Sequence, residues 1–213
     1  MTCDTSLITA ILFDWDGTVV DSAQLGLVAF QKSFAALGLE FHEPTYQTAY
    51  SPNWYLLYEK MGVPKDKWET ADALWLQHYG EQTATAIEGA DLTLRELQAK
   101  GYRMGVVSSG SEARVKREME SLVLTEFFDV VVCNEHMVNK KPHPEGLETA
   151  MQRLRLTGAE TCYVGDSPED IEMGKRASLL TVGVRSSYPT SWKLQTAKPD
   201  IYLESFTDLT NHF

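Results

Sequence analysis

Two aspartates near the N-terminus have a spacing that could support chemistry. Asp14 and Asp16 directly follow an apolar run over residues 8–13, and Gly17 and Thr18 come next. The length of the run and the breaker after it favour a short buried strand over a helix. Side chains two residues apart on a strand point to the same side, so the two carboxylates would form an electronegative notch. Two like charges this close repel each other, so the notch is unfavourable in free energy unless a cation neutralises it.

Other residues capable of similar chemistry follow three further predicted strands. They are Ser108 and Ser109 after residues 103–107, Lys141 after residues 130–133, and Asp166 and Asp170 after residues 161–164. In a doubly wound parallel sheet with the first strand in the centre, these segments converge on the carboxyl end of that strand. One divalent cation and Lys141 would then offset the charges of four aspartates, and all-oxygen ligation suits Mg²⁺ better than zinc.

A phosphoryl group would fit this predicted site. The metal and Lys141 would neutralise its charge, while the hydroxyl and free amides at the Ser108–Ser109 strand end would hold its oxygens. One of the paired aspartates could attack phosphorus and the other could transfer a proton. The residues therefore predict Mg²⁺-dependent chemistry on a small phosphorylated metabolite.

The elements that must position these residues divide the chain into two parts. Residues 1–20 and 87–213 alternate between strand and helix patterns, which predicts a Rossmann-like α/β core. Residues 21–86 show helical patterns throughout, with no strand-like alternation, and we predict a small all-helical cap inserted after the first strand. Ser22 is the expected N-cap of the first cap helix.

Composition limits the classes of partner. The 213 residues are 43% hydrophobic and 23% charged, which is typical of a soluble globular protein. The net charge of −11, without a basic cluster, argues against nucleic acid and anionic membranes. There is no long apolar run and no signal-like N-terminus, and Cys3, Cys133 and Cys162 lack metal-type spacing, so we expect a cytoplasmic protein. A monomer and a small homo-oligomer both remain open.

Taken together, the four segments resemble the motifs of the haloacid dehalogenase superfamily, in the same order. Residues 14–18 match the first motif, Ser108 the second, Lys141 the third, and residues 165–170 the G-D-x-x-x-D form of the fourth. The helical insert resembles the small cap of the phosphoglycolate phosphatase-like branch. The resemblance implies an α/β core, an α-helical cap and a Mg²⁺-dependent enzyme.

The same resemblance implies a role for each site residue. Asp14 would be the nucleophile, forming an aspartyl-phosphate and ligating Mg²⁺. Asp16 would protonate the leaving oxygen, then activate the hydrolytic water, and lend its backbone carbonyl to the metal. Ser108 and Lys141 would hold phosphoryl oxygens. Asp166 would complete the metal site, and Asp170 would ligate the metal or orient through water.

Two enzymatic functions share these motifs. An acid at position 16 points to phosphoester hydrolysis or to phosphomutase chemistry. Sugar phosphomutases of the beta-phosphoglucomutase kind typically carry a cap histidine a few residues past the position of Asp21, and residues 22–26 contain none. We therefore expect a phosphatase, with the mutase as the alternative. A signalling receiver, which also uses a strand-end acid cluster, is disfavoured because it needs no cap.

Several points about substrate recognition remain expectations. Trp15 is expected to line the entrance of the site. Lys140 is an alternative candidate for the site lysine, although Lys141 is preferred. Residues 22–86 contain no arginine, so neutral or aromatic phosphomonoesters are expected to react at least as well as phosphoglycolate. The aromatic side chains of the insert either fill its core or touch the substrate: Tyr46, Tyr50, Trp54, Tyr55, Tyr58, Trp68, Trp75 and Tyr79.

Overall fold

The computed structural model describes residues 5–213, so Cys3 lies outside the described residues. Its main element is a parallel sheet of six strands. Numbered along the chain, these are β1 (Ala10–Phe13), β4 (Arg103–Val107), β5 (Val130–Val132), β6 (Thr161–Gly165), β7 (Leu180–Val184) and β8 (Ile201–Leu203). Their order across the sheet is β5-β4-β1-β6-β7-β8, which places β1 at the centre with a neighbour on each side.

The register brings the carboxyl ends of three strands to one level. Phe13 pairs with Val106 on one side and with Val164 on the other. The residues that follow these strands therefore meet at one edge of the sheet, where the strand order reverses direction. This is the place at which the sequence predicts the site.

Helices cover both faces of the sheet, because successive side chains of the buried strands point to opposite sides. Ile11 and Phe13 belong to one hydrophobic cluster and Leu12 to another. The first cluster includes side chains of α5 (Ala90–Ala99) and α6 (Glu112–Ser121), and the second those of α7 (Glu145–Leu154) and α8 (Pro168–Arg176). The predicted doubly wound α/β fold is confirmed.

A helical cap with its own hydrophobic cluster follows β1. Its helices are α1 (Ala23–Ala36), α2 (Glu43–Ala49), α3 (Trp54–Lys60) and α4 (Trp68–Tyr79), and α1 packs along α4. Phe30, Tyr58 and Trp75 lie within this cluster. The aromatic side chains of the insert thus supply much of its core.

Two short antiparallel strands connect the cap to the core. β2 (Val20–Asp21) pairs with β3 (Thr85–Ala86). The predicted bounds of the cap, residues 21–86, fall on this ribbon. The expectation that no strand interrupts the insert is wrong at Thr85–Ala86, because a strand of two residues is too short to show a periodic pattern.

No helix within residues 5–213 is both long and apolar enough to cross a bilayer. Cys133 and Cys162 are buried free thiols. Burial raises the pKa of Cys133 to about 12, which keeps this thiol protonated and unreactive.

Candidate active site

Asp14 lies directly after β1, where Lys141 binds it. The Lys141 Nζ lies 2.6 Å from Asp14 Oδ1 and 2.7 Å from Asp170 Oδ1, so one ammonium group bridges two carboxylates. Lys141 is only 2% exposed and Asp14 only 6%. Burial raises the pKa of Asp14 to about 7, although the charge of Lys141 acts in the opposite direction.

Protein donors surround the carboxylate of Asp170. Besides Lys141, the Tyr163 hydroxyl donates to Oδ1 at 3.0 Å. The amide and the hydroxyl of Ser167 donate to Oδ2 at 3.1 and 2.6 Å. Because both oxygens already accept hydrogen bonds, this geometry favours Asp170 as a residue that holds Lys141 in place over a direct ligand of a cation.

Asp166 follows β6 and lies beside Asp14. One carboxylate oxygen each from Asp14, Asp166 and Asp170 lies within 4.8 Å of the other two. The Ser186 hydroxyl donates to Asp166 Oδ2 at 2.5 Å. Gly17 makes the close approach possible: its φ is +80°, and a Cβ there would lie 2.3 Å from Asp166 Oδ2.

The donor set of this cluster fits a divalent cation. Burial raises the pKa of Asp166 well above its ordinary value, and the charges of Asp170 and Asp14 act in the same direction. Lys141 supplies one positive charge against three carboxylates, so a further cation would be needed to keep all three ionised. Carboxylate oxygens are the ligands that hard divalent cations prefer. Asp14 and Asp166 are the side chains best placed to hold one.

Arg114 holds the carboxylate of Asp16 in a two-point ion pair. Nη1 lies 2.9 Å from Oδ1, and Nη2 lies 2.5 Å from Oδ2. The Ser22 hydroxyl also donates to Oδ1 at 2.7 Å, so it does not serve as the predicted side-chain cap of α1. Burial acts to raise the pKa of Asp16, but the charge and hydrogen bonds of Arg114 outweigh it and lower that pKa. Asp16 is therefore ionised in this conformation.

Arg114 is itself anchored by a buried glutamate. It lies on α6 at 4% exposure, and its Nη1 is 3.2 Å from Glu118 Oε2. The Trp15 Nε1 donates to the same oxygen at 2.7 Å. Trp15 is fully buried, so the expectation that it lines the entrance is wrong. Its indole packs inside the core, where its one polar atom needs a partner and finds Glu118.

The sequence carried only a weak signal for Arg114 and Glu118. Charges of opposite sign four residues apart usually mark the exposed face of a helix. The one indication in the sequence is their position around the helix. Each of the two directly precedes a buried apolar residue of α6, Val115 or Met119. Both charges thus lie at the margin of the buried stripe, and tertiary packing decides that they are covered.

The loop after β4 supplies Ser108 and Ser109. Ser108 is fully buried, and its hydroxyl accepts a hydrogen bond from the Gly110 amide at 2.9 Å. Ser109 and Gly110 line the same cavity as Asp14 and Lys141. Lys140 points elsewhere, donating to the carbonyl oxygens of Asn134 and Met137, so it is Lys141 that contacts Asp14.

A cavity of about 40 Å³ lies between the sheet edge and the cap. The core side includes Asp14, Asp16, Lys141 and Arg114, and the cap side is lined by Phe30, Tyr46, Tyr50, Trp54 and Trp75. A groove of about 200 Å³ adjoins the cavity at Pro52, Trp54 and Ser109, on a route by which a substrate could enter.

The cap aromatic residues combine the two roles that the sequence left open. Phe30, Tyr46 and Trp75 belong to the hydrophobic cluster of the cap and also line the cavity. Tyr58 is buried in the same cluster and is not among the cavity-lining residues. The cap therefore presents its aromatic core directly to the site.

Comparison with known proteins identifies the family. The model of the haloacid dehalogenase-like hydrolases matches residues 11–184, which is most of the chain. The chain belongs to the haloacid dehalogenase-like hydrolase family. This confirms the family predicted from the four motifs and, with it, the prediction of an enzyme that hydrolyses phosphoric esters.

Individual proteins match over nearly the whole chain. Pyrophosphatase PpaX from Listeria welshimeri is 30% identical over 215 residues, covering 96% of each protein. The structure of a predicted phosphoglycolate phosphatase from Haemophilus somnus has a TM-score of 0.86 at 20% identity, covering 97% of this chain and 98% of that one. A putative beta-phosphoglucomutase from Thermotoga maritima has a TM-score of 0.74 at 21% identity, covering 96% and 97%. At these identities, the two structures establish the fold and leave the substrate open.

Proposed function

We propose that this chain is a Mg²⁺-dependent phosphatase that hydrolyses small phosphomonoester metabolites of the cytoplasm through an aspartyl-phosphate on Asp14. The observation that carries the proposal is the bridge from Lys141 to Asp14 and Asp170, with Asp166 beside it at the end of β1. This cluster combines a carboxylate nucleophile, a fixed positive charge and a cation site. Membership of a hydrolase family supports the assignment.

The reaction would proceed in two balanced steps. Asp16, which is ionised in the conformation described above, would enter the reaction with a proton taken up from solvent. An oxygen of Asp14 attacks phosphorus, the bond from phosphorus to the ester oxygen breaks, and that oxygen takes the proton from Asp16. A water molecule then attacks phosphorus and gives a proton to Asp16, and the bond between phosphorus and Asp14 breaks. Both aspartates return to their initial states, with Asp16 acting first as acid and then as base.

The remaining residues would position the phosphoryl group. Lys141, Ser108 and the Ser109 segment of the loop would hold its oxygens. Asp14, Asp166 and the backbone carbonyl of Asp16 would hold Mg²⁺, which when bound offsets the charge of the phosphoryl group. Asp170 would orient Lys141, consistent with the hydrogen bonds around its carboxylate.

The cap would control access to water and substrate. The cavity lies between the sheet edge and the cap, so the cap would open to admit the substrate and close around it. A hydrolase must then let water reach the aspartyl-phosphate. Aromatic side chains on the cap side would contact the leaving group.

A sugar phosphomutase is the second candidate, because the same acids serve both reactions and the fold resembles that of a putative beta-phosphoglucomutase. The absence of histidine from residues 22–26 favours hydrolysis. Inorganic pyrophosphate enters as a candidate substrate through the name of the PpaX relative, beside phosphoglycolate and sugar phosphates.

A phosphate-release screen over many phosphomonoesters and pyrophosphate, with Mg²⁺ and with a chelator, tests the proposal. Asp14→Asn should lower turnover by at least about a thousandfold, as removal of a nucleophile generally does. Asp66→Asn, at an exposed cap position, is the matched control and should retain wild-type turnover. Full activity in the chelated enzyme, or in Asp14→Asn, would refute the proposal. Faster isomerisation of a sugar phosphate than phosphate release would favour the mutase.

A further inference from the structure

We propose that Arg114 binds a second anionic group on the substrate and in exchange releases Asp16 for proton transfer. The inference rests on the proposed phosphatase function and specifies its substrate class. The preferred substrates would be phosphomonoesters whose leaving group carries a carboxylate or a phosphate close to the ester oxygen.

The first observation is the position of the Arg114 guanidinium group. Arg114 lines the cavity together with Asp14 and Lys141. It also packs against the loop after β4, since a Cβ on Gly110 would lie 2.2 Å from Arg114 Nη2. A substrate whose phosphoryl group lies at this loop would therefore bring its leaving group within reach of the guanidinium.

The second observation is that the guanidinium group is held in a fixed orientation. Its central carbon lies 5.0 Å from the ring centre of Tyr79 and 5.9 Å from that of Trp75, both from the cap. Glu118 binds Nη1 from the same helix. A planar fork fixed in this way is organised in advance for two-point binding of a carboxylate or phosphate.

The third observation is an unused donor. Arg114 Nε is buried and has no hydrogen-bond partner within residues 5–213. A buried donor without a partner is unfavourable, so a state in which a ligand supplies an acceptor is favoured. An anionic group entering the cavity could accept from this donor.

Asp16 is the partner that an incoming anion would displace. Glu118 also accepts a hydrogen bond from Trp15, whereas the carboxylate of Asp16 lines the cavity. In the two-point pair with Arg114, the oxygens of Asp16 accept from the guanidinium and are not free to carry a proton to a leaving group. Exchange of Asp16 for a substrate anion would free this carboxylate next to the ester oxygen. A neutral leaving group could not compete for Arg114 in this way.

This assignment reverses the substrate expectation drawn from the sequence. That expectation rested on the absence of arginine from residues 22–86. Arg114 comes from α6 of the core and reaches the cavity beneath the cap. An arginine is therefore available to an anionic leaving group although the cap contains none.

The test compares kcat/KM for phosphoglycolate and for 2-hydroxyethyl phosphate, which has a neutral leaving group of similar size. The wild-type enzyme should prefer phosphoglycolate by at least about tenfold, equivalent to about 1.4 kcal/mol of transition-state binding. Arg114→Gln should abolish this preference: kcat/KM for phosphoglycolate should fall, whereas kcat/KM for the neutral ester should be at least as high as in the wild type, because Asp16 is then free of the pair with either substrate. Arg114→Lys should retain part of it. Arg117→Gln, an exposed arginine of the same helix, is the matched control and should behave like the wild type.

Each alternative outcome has a distinct meaning. A wild-type preference below about twofold would overturn the inference while leaving the proposed phosphatase in place, and this result does not depend on the folding of any variant. An equal loss for both esters in Arg114→Gln would show that Arg114 only maintains the structure, which also overturns the inference. An enzyme that releases phosphate from no ester would instead refute the proposed function on which the inference rests.

Discussion

The hydroxyl of Ser22, at the base of the cap, donates a 2.7 Å hydrogen bond to Oδ1 of Asp16 in the core. The same Ser22 oxygen lies 3.0 Å from the Tyr188 hydroxyl, and the Tyr188 ring packs on Tyr50 of the cap with ring centres 5.0 Å apart. The residue proposed as acid and base thus shares a hydrogen-bond network with the base of the cap. Movement of α1 would change the surroundings of Asp16.

Ser22→Ala should destabilise the protein and lower turnover. The hydroxyl binds an ionised carboxylate in a part-buried position, and such a hydrogen bond contributes about 1.5–3 kcal/mol. Ser33→Ala is a matched control on the same helix, because within residues 5–213 its buried hydroxyl bonds only the Ala29 carbonyl. Urea unfolding and kcat measure the two effects. Equal changes in both variants would contradict a special role for Ser22.

Lys141→Met should abolish activity and destabilise the fold by about 3–5 kcal/mol, because it leaves Asp14 and Asp170 buried without their shared cation. Lys140→Met is the control at the neighbouring position. Among the described residues, Lys140 donates only to backbone carbonyls of its own loop, so this change should cost about 1 kcal/mol and spare catalysis. Denaturant unfolding and phosphate release measure both. Comparable losses in the two variants would contradict the assignment of Lys141.

Gly17→Ala should disrupt the cation site. The added Cβ would lie 2.3 Å from Asp166 Oδ2, and the alanine would have to adopt a φ of +80°. Gly62→Ala has a similar φ of +75° with nothing within 4 Å, so it shows the backbone effect alone, about 1–2 kcal/mol. Mg²⁺ titration and turnover should be impaired only in Gly17→Ala. Wild-type Mg²⁺ binding in that variant would contradict the predicted position of the cation.

Mg²⁺ should stabilise the wild-type protein against heat. At a concentration a hundredfold above its Kd, a ligand adds about 2.7 kcal/mol, which corresponds to roughly 5–10 °C in a domain of this size. Asp166→Asn should lose most of this increase, whereas Asp66→Asn in the cap should keep it. Thermal unfolding with and without Mg²⁺ gives the comparison. A full increase in Asp166→Asn would exclude Asp166 from the cation site.

The sequence was sufficient for the fold because the strands and their ends are local features. The apolar run before Asp14 and the strands before Ser108 and Asp166 set the sheet order, and parallel pairing then brings their ends together. The predicted strand over residues 103–107 matches the observed one, and the others differ by at most two residues at each end. The convergence of Asp14, Lys141, Asp166 and Asp170 follows from this topology.

The partners of Asp16 could not be predicted in the same way. Arg114 lies 98 residues further along the chain, and its contact with Asp16 depends on how α6 packs against the sheet. Ser22 has the residue type and position of an N-cap, but the approach of Asp16 gives its hydroxyl a charged acceptor instead. The burial of Trp15 could not be predicted for the same reason, since it depends on the hydrogen bond from its indole to Glu118. In each case a tertiary contact overrides the local preference.

The central claim is that Asp14 carries the phosphoryl group during turnover, and chemical trapping tests it most directly. Borohydride reduces an aspartyl-phosphate to homoserine, so enzyme quenched during turnover with Mg²⁺ and phosphoglycolate, or another ester that it cleaves, should contain homoserine at position 14. Peptide mass spectrometry should detect this product only when both substrate and metal are present. Rapid turnover without homoserine at position 14, or with homoserine at position 16 instead, would contradict covalent catalysis by Asp14.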